Sequence, residues 1–330
     1  MSILLLFVAA VPTIVERHAA IMGTELVVRV VLQKDSDQRA AETAIDEVEV
    51  ELRRLEALLS EWKPESVFGR LNAKPTEPVE MPAEAFSLLE RSLEWSRRSE
   101  GAFDPTFASL WGLWRFDPDD AGRIPTPAEA KARASLIDYR AVTLDREKRT
   151  VRMKPRMKLG LGGIAKGYAV DRVVELLRRR SFENFFVKLG GELYLSGRRG
   201  DRPWIAGIQD PRNRESYFAT LALENSAFTT SGDYERFLIK DGVRYHHIID
   251  PSTGYPARKS RAVTIVAPRA EDADALSTSV FVLGPEKGMA LVKSIPGVEA
   301  VIVDSAGKVS VSPGLEGKLS LKPLSAYEGP

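Results

Sequence analysis

The order of its apolar patterns constrains this chain most. Residues 38–61, QRAAETAIDEVEVELRRLEALLSE, carry an apolar stripe of Ala41, Ala44, Ile45, Val48, Leu52, Leu55, Ala57, Leu58 and Leu59. Those positions share one face of a 3.6-residue repeat and predict a long amphipathic helix, whose stripe needs a second layer to cover it. Strand-like segments are available for that layer. They are TELVVRVVLQ at 24–33, FFVKL and ELYLSG on either side of Gly190-Gly191, WIAGIQD at 204–210, FATLALEN at 218–225 and AVTIVAP at 262–268. Asp241-Gly242 predicts a hairpin within 231–250, and Ala306-Gly307 another within 298–311. Two short strands are expected at 141–145 and 150–153. Further helices are expected at 83–99, 127–136, 164–180, 273–283 and 286–295, whereas Pro64 and Asn72–Pro78 mark a loop. Strands and helices do not alternate in a βαβ rhythm, and no repeat or low-complexity linker divides the chain. The expectation is an α+β fold, one domain over residues 20–330 with mixed sheets and packed helices.

Charge and cysteine content exclude several classes of function. Lys and Arg number 47 against 46 Asp and Glu, a net charge of +1, so no global field favours nucleic acid. The basic clusters at 178–180 and 198–199 read as solvated helix ends and turns. With no cysteine, disulfides, thiolate metal sites and a thiol nucleophile are all excluded. Residues 1–19 form a candidate signal segment. The apolar run Ile3–Val11 is too short to cross a bilayer but suits a signal-peptide core, and Val8-Ala9-Ala10 supplies small residues for cleavage. No basic residue precedes the run. Export to the periplasm is the expectation, with an N-terminal core strand in a cytoplasmic protein as the alternative.

Four segments carry chemistry. Gly160-Leu161-Gly162-Gly163 leads into a helix with Lys166 in its first turn. The spacing fits neither a Walker loop nor a dinucleotide fingerprint. Consecutive glycines before a helix still admit an anion close to the backbone, and a plain tight turn is the competing reading. Asp274 and Thr278 lie four apart on a predicted helix, so they share a face; a carboxylate with hydroxyl and carbonyl oxygens suits a hard cation such as Mg2+. A helix-terminal acid beside a back-bonded threonine would look the same. His246 and His247 fall in a strand-like run, which predicts rings on opposite faces, one of them available for proton transfer. Finally, GAFDPTFASLWGLWRF at 101–116 combines a rigid Asp104-Pro105 bend with Trp111, Trp114 and Phe116, a flat apolar surface or an aromatic core patch.

Taken together, MGT at 22–24, SEWKPES at 60–66, RLN at 70–72, GAFDPT at 101–106, GGIAKGYAVD at 162–171, LGG at 189–191, TSGDY at 230–234, HIIDPSTGYP at 247–256 and ADALST at 273–278 resemble the FAD:protein FMN transferase family, often called ApbE. The resemblance covers roughly residues 20–310. It implies a single α+β domain of the ApbE, T-fold-like type. It also implies Mg2+-dependent cleavage of FAD as substrate, with FMN joined through its phosphate to a Thr or Ser of an acceptor flavoprotein and AMP released. In the family that acceptor is typically a membrane redox subunit or an exported flavoprotein. By resemblance Met22, Trp62, Ala102, Phe103, Asp104, Gly160, Lys166 and Ile248 contact FAD. The Gly163 carbonyl, Asp274, Ser277 and Thr278 hold Mg2+, and His247 handles a proton at the acceptor hydroxyl, with Asp274 the second catalytic residue. Three positions depart from the family pattern. Gly160 stands where relatives often carry Asp, and Lys188 and Glu192 flank the glycine turn where Asn and Asp are frequent. Two alternatives stay open: an FAD pyrophosphatase that uses water, and a non-catalytic FAD-binding protein.

Overall fold

The computed structural model describes residues 12–116 and 123–325; the apolar run Ile3–Val11 and its cleavage pattern lie outside them. An eight-stranded sheet organises the molecule. Its strands, in spatial order, are Ile14–Ile21, Thr24–Val31, Phe185–Leu189, Glu192–Ser196, Ser226–Gly232, Ser260–Ala267, Glu299–Asp304 and Val309–Val311. Every neighbouring pair is antiparallel, which is the α+β arrangement rather than a doubly wound one.

Both faces of this sheet are covered. Along Ser260–Ala267, Val263, Ile265 and Ala267 point into the principal core, while Ala262 and Val266 point into a second core, as a period of two requires. The second core is closed by a three-stranded sheet of Trp204–Asp210, Asn213–Leu223 and Leu319–Leu321. The principal core is closed by helices: α1 (Gln38–Leu59), α2 (Val67–Ala73), α3 (Ala83–Arg98), α4 (Pro127–Ala134), α5 (Ala165–Arg179), α6 (Ala270–Leu283) and α7 (Pro285–Lys293), of which α1, α5, α6 and α7 lie against the sheet. The α1 stripe buries Ala41, Ala44, Ile45, Val48, Leu52, Leu55 and Leu59, whereas Ala57 is exposed and Leu58 only half-buried.

Four elements differ from the sequence expectation. Ile14–Ile21 is an edge strand beyond the apolar run. Ser226–Gly232 is an interior strand to which the sequence pattern assigns no element before Ser231, and Thr230 and Thr264 bond across the pair at 2.8 Å. The expected loop contains α2, capped by Ser66, whose hydroxyl accepts from the Gly69 amide at 2.8 Å. The strand at His246 ends there, so His247 lies just past it rather than inside it.

The contact between α5 and α6 is unusually close. The N-terminus of α6 has no side-chain cap of its own. Asp171 of α5 accepts from the amides of Ala270 and Glu271, at 2.8 and 3.1 Å, and supplies one. One turn earlier, a Cβ on Gly167 would sit 2.2 Å from the Ala270 carbonyl oxygen and 2.8 Å from the Asp274 Cβ. Only a residue without a side chain allows this approach. Gly167→Ala is therefore expected to destabilise the fold by about 2 kcal/mol or more through overpacking, read as a lowered denaturation midpoint; an unchanged midpoint would mean that the helices separate at no cost.

Candidate active site

The site forms where the glycine loop, the first turns of α5 and α6, and the Gly190-Gly191 turn of the sheet meet. The Gly167 amide donates to Asp274 Oδ2 at 3.0 Å. Lys166 Nζ lies 3.0 Å from Glu192 Oε1 and 3.8 Å from Asp274 Oδ2, and it donates to the Gly162 carbonyl at 3.1 Å. The two carboxylates are 6% and 4% exposed, the lysine 27%. Burial opposes the lysine charge most strongly, but Asp274 and Glu192 outweigh it and raise the Lys166 pKa. Burial also raises Asp274 and Glu192, against the pull of Lys166.

The loop itself is clamped from three sides. Asn72 acts as a piece of surrogate strand: its Nδ2 donates to the Leu159 carbonyl at 2.8 Å and its Oδ1 accepts from the Leu159 amide at 2.7 Å. The Gly160 amide donates to the Pro105 carbonyl at 2.8 Å. The Phe103 ring lies 3.0 Å from where a Cβ on Gly163 would stand, and Thr278 Oγ1 lies 3.5 Å from the same point. Gly163, Lys166, Asp274 and Thr278 therefore converge. Ser277 is present but engaged, donating to the Asp274 carbonyl at 2.9 Å and sharing a 2.8 Å bond with Ser231.

At the other end of the loop, a Cβ on Gly160 would stand 3.0 Å from the Trp111 ring and 3.2 Å from Glu61 Oε1. Glu61 thus sets a carboxylate beside a position that has none. Burial raises the Glu61 pKa, and Lys166 partly opposes it. Trp62 stacks on Trp111 with ring centroids 4.1 Å apart, and 69% of Trp62 stays exposed, a platform for a planar ligand. Trp114 belongs to a separate aromatic cluster with Phe116, Tyr245 and Tyr255, and its indole donates to the Gly254 carbonyl at 2.8 Å.

Other residues marked in the sequence serve the fold. Both Asp104 oxygens are committed: Oδ1 accepts from the Thr106 amide and hydroxyl at 2.8 and 2.6 Å, and Oδ2 from the Tyr139 amide at 2.9 Å. Phe103 and Ile248 are buried in the principal core, and Ala102 packs against it. Met22, with φ of 55°, turns the hairpin between the first two strands together with Gly23 at 71°. A left-handed methionine is unusual, since this conformation ordinarily calls for Asn or Gly. The next residue, Thr24, brings its Oγ1 within 2.8 Å of where a Gly190 Cβ would lie, so this turn abuts the one that carries Glu192.

The two histidines separate by environment. His246 is 4% exposed; its Nε2 donates to the Ala257 carbonyl at 2.8 Å, its Nδ1 accepts from the Ile248 amide at 3.3 Å, and its ring meets Phe281 edge-on. His247 is exposed to solvent, and its amide donates to the Arg236 carbonyl at 3.0 Å. Partial desolvation lowers its pKa, with His246, Arg236 and Lys166 adding repulsion. The sequence marks both histidines and, through the resemblance, sets Glu192 apart as a departure beside the glycine turn, but it gives Glu61, Gly167 and Ser231 no role. A further signal for Glu192 is its position two residues before Tyr194, on the face that Tyr194 turns to the helices.

A model of the ApbE family matches residues 22–302. The chain belongs to the ApbE family. It is 37% identical to the FAD:protein FMN transferase of Treponema pallidum, over 91% of this chain and 87% of that one. It is 33% identical to that of Haemophilus influenzae, over 81% and 80%. The crystal structure of the ApbE protein of Thermotoga maritima superposes with a TM-score of 0.82 at 35% identity, covering 93% of this chain and 99% of that one. The flavin transferase ApbE of Vibrio cholerae superposes at 0.81 with 28% identity, over 92% and 99%. The fold is thus a single ApbE-like one.

A Mg2+ ion fits the residues present. Among the described residues no group of three or more His, Asp or Glu side chains is gathered to hold a metal, so a site here would rest on the Asp274 carboxylate with hydroxyl and carbonyl oxygens. Such an all-oxygen set suits an ion that keeps several waters and takes phosphate oxygens. Glu192 Oε2 is buried without a hydrogen-bond partner, which leaves a carboxylate oxygen unsatisfied in the centre of the site.

The buried histidine gives the fold a pH dependence. Burial pushes the His246 pKa from 6.5 down to about 4, so between those values the unfolded chain binds a proton that the folded chain refuses. Acidification through that window removes stability. Asp171 acts in the opposite sense, since burial pushes its carboxyl up to about 6 and the folded chain takes that proton first. In His246→Gln the loss of unfolding free energy on acidification is expected to shrink by at most about 3 kcal/mol, measured by urea titration across the window; identical pH slopes in variant and parent would remove His246 as the cause.

Proposed function

We propose that this chain is an FAD:protein FMN transferase that cleaves the FAD pyrophosphate and joins FMN through a phosphoester to a Thr or Ser of an acceptor protein, releasing AMP. The convergence of Lys166, Asp274 and Thr278 on the glycine loop carries the reading, within a fold whose relatives bear that name. It places a cation, a buried carboxylate and a hydroxyl beside a loop open to an anion. The Trp62–Trp111 stack offers a face to one of the planar rings of FAD, and the Glu61 carboxylate beside it suits ligand hydroxyl or N–H donors rather than phosphate.

The transfer needs one bond made and one broken. The acceptor hydroxyl oxygen attacks the phosphorus of the FMN half, the bond from that phosphorus to the bridging oxygen breaks, and AMP departs with the oxygen. The hydroxyl proton passes to His247, an exposed imidazole that in its neutral form can accept it. Lys166 offsets phosphate charge. Asp274 and Thr278, with the Gly163 carbonyl, would hold Mg2+, which would supply further neutralisation of charge on the phosphate oxygens. Ser277 positions the α6 turn from which Asp274 and Thr278 project. The apolar run Ile3–Val11 supports an exported setting for this chemistry, which cell fractionation tests.

Incubation with FAD, Mg2+ and a candidate acceptor, followed by mass spectrometry, is expected to show an FMN adduct on Thr or Ser matched by AMP. AMP without an adduct across a panel of acceptors would replace the reading with hydrolysis, and bound FAD with neither product would replace it with flavin storage. Asp274→Asn, which preserves an acceptor for the Gly167 amide, is expected to lose AMP release by about a hundredfold or more while it keeps its thermal midpoint. His247→Ala is expected to slow transfer more than it weakens FAD binding; an equal loss in both would make His247 a binding residue.

A further inference from the structure

Glu192 is costly as an ordinary strand residue. It opens Glu192–Ser196 directly after the glycine turn, on the face that the helices cover. Its side chain is 6% exposed, Oε1 is held by Lys166, and Oε2 has no partner. A buried carboxylate oxygen without a donor loses its hydration and regains nothing from the protein. The charges around it are also unequal. Ionised together, Asp274 and Glu192 would bring two negative charges, and among the described residues the ammonium that pairs with them is Lys166, 3.0 Å from Glu192 and 3.8 Å from Asp274; burial raises both carboxyls against it, and repulsion from Asp274 raises Glu192 further. A divalent cation corrects both deficits, giving Oε2 a partner and the carboxylate pair its missing charge.

We propose that Glu192 is a second carboxylate of the divalent-cation site built on Asp274, and that the Lys166 ammonium occupies the space between the two carboxylates when no divalent cation is present. This rests on the proposed function, in which Asp274 holds Mg2+. The ammonium makes three contacts there, with Glu192, Asp274 and the Gly162 carbonyl, and all three are oxygens that a cation also seeks. Metal and lysine therefore compete for one space. Entry of the metal frees the ammonium, which α5 carries in its first turn at the mouth of the glycine loop, to meet the phosphates of FAD.

Competition separates this role from a structural one. If Glu192 served only to hold Lys166, its neutralisation would release the lysine and leave metal affinity equal or higher. As a ligand, its neutralisation lowers affinity, whereas removal of the lysine raises it. Mn2+ binding to the full chain without FAD, followed by the electron paramagnetic resonance of free Mn2+, reads this directly. Glu192→Gln is expected to weaken Mn2+ binding about tenfold or more, and Lys166→Met to tighten it. Glu192→Asp, which keeps the charge on a shorter arm, is expected to fall between parent and E192Q, and decides the matter if E192Q fails to fold. Mn2+ affinity in E192Q equal to or above that of the parent would overturn the role of Glu192. If Asp274→Asn loses Mn2+ while E192Q does not, Asp274 stands and this inference alone fails. If Asp274→Asn also binds normally, or the parent binds no Mn2+, the cation site itself is wrong.

Discussion

The close approach of α5 to α6 at Gly167 is the constraint on which the rest of the site depends. Because residue 167 has no side chain, its amide reaches Asp274 Oδ2 at 3.0 Å and the first turns of the two helices touch. That contact sets Lys166, one residue earlier, beside Asp274, and the same turn faces Glu192 on the sheet. Asp171 locks the arrangement one turn further along by capping α6 from α5. Two helices distant in sequence are thus joined by a carboxylate at each of two successive turns, one carboxylate serving the fold and the other available to a ligand. Without the glycine the helices would part, and the buried acids would lose both their amide and their ammonium.

Apolar periodicity made much of this fold legible. The α1 stripe, the Gly190-Gly191 turn and the Asp241-Gly242 hairpin are all where pattern and turn chemistry put them. Legibility failed where burial is not hydrophobic. Ser226–Gly232 sits in the middle of the large sheet, yet it is rich in hydroxyls, two of which bond to a neighbouring strand and to α6, Thr230 to Thr264 and Ser231 to Ser277, so its composition hides its burial. α2 is too short to show a period. The site divides in the same way. Lys166, Asp274, Thr278 and the glycines stand in motifs and could be read from them. Glu192 could be read only as a departure from the family pattern, because a lone carboxylate in a strand usually faces water, and only the helices packed over the sheet show that this one does not. Asp104 illustrates the reverse: its motif suggested a ligand contact, and both of its oxygens hold the backbone in place.

Gly160 reads differently in three dimensions. Along the chain, it is a missing carboxylate. In space, the position is filled by Trp111 and flanked by Glu61, which comes from a segment far earlier in the chain. A side chain at 160 would press on the ring that supports Trp62, so the glycine and the tryptophan pair form one packing unit. The negative charge on that side of the loop comes from Glu61.

The strand order has a consequence for how such a molecule comes into being. The second strand finds its partner far along the chain, and the Lys188 to Glu25 ion pair beside that seam joins residues 163 positions apart. Asp274 arrives later still, on α6. The segment to residue 189 must therefore leave the ribosome before the second strand can pair with Phe185–Leu189, and the segment to Thr278 before the first complete site exists. Folding of this kind is slow, because distant segments have to meet before any of them is rewarded.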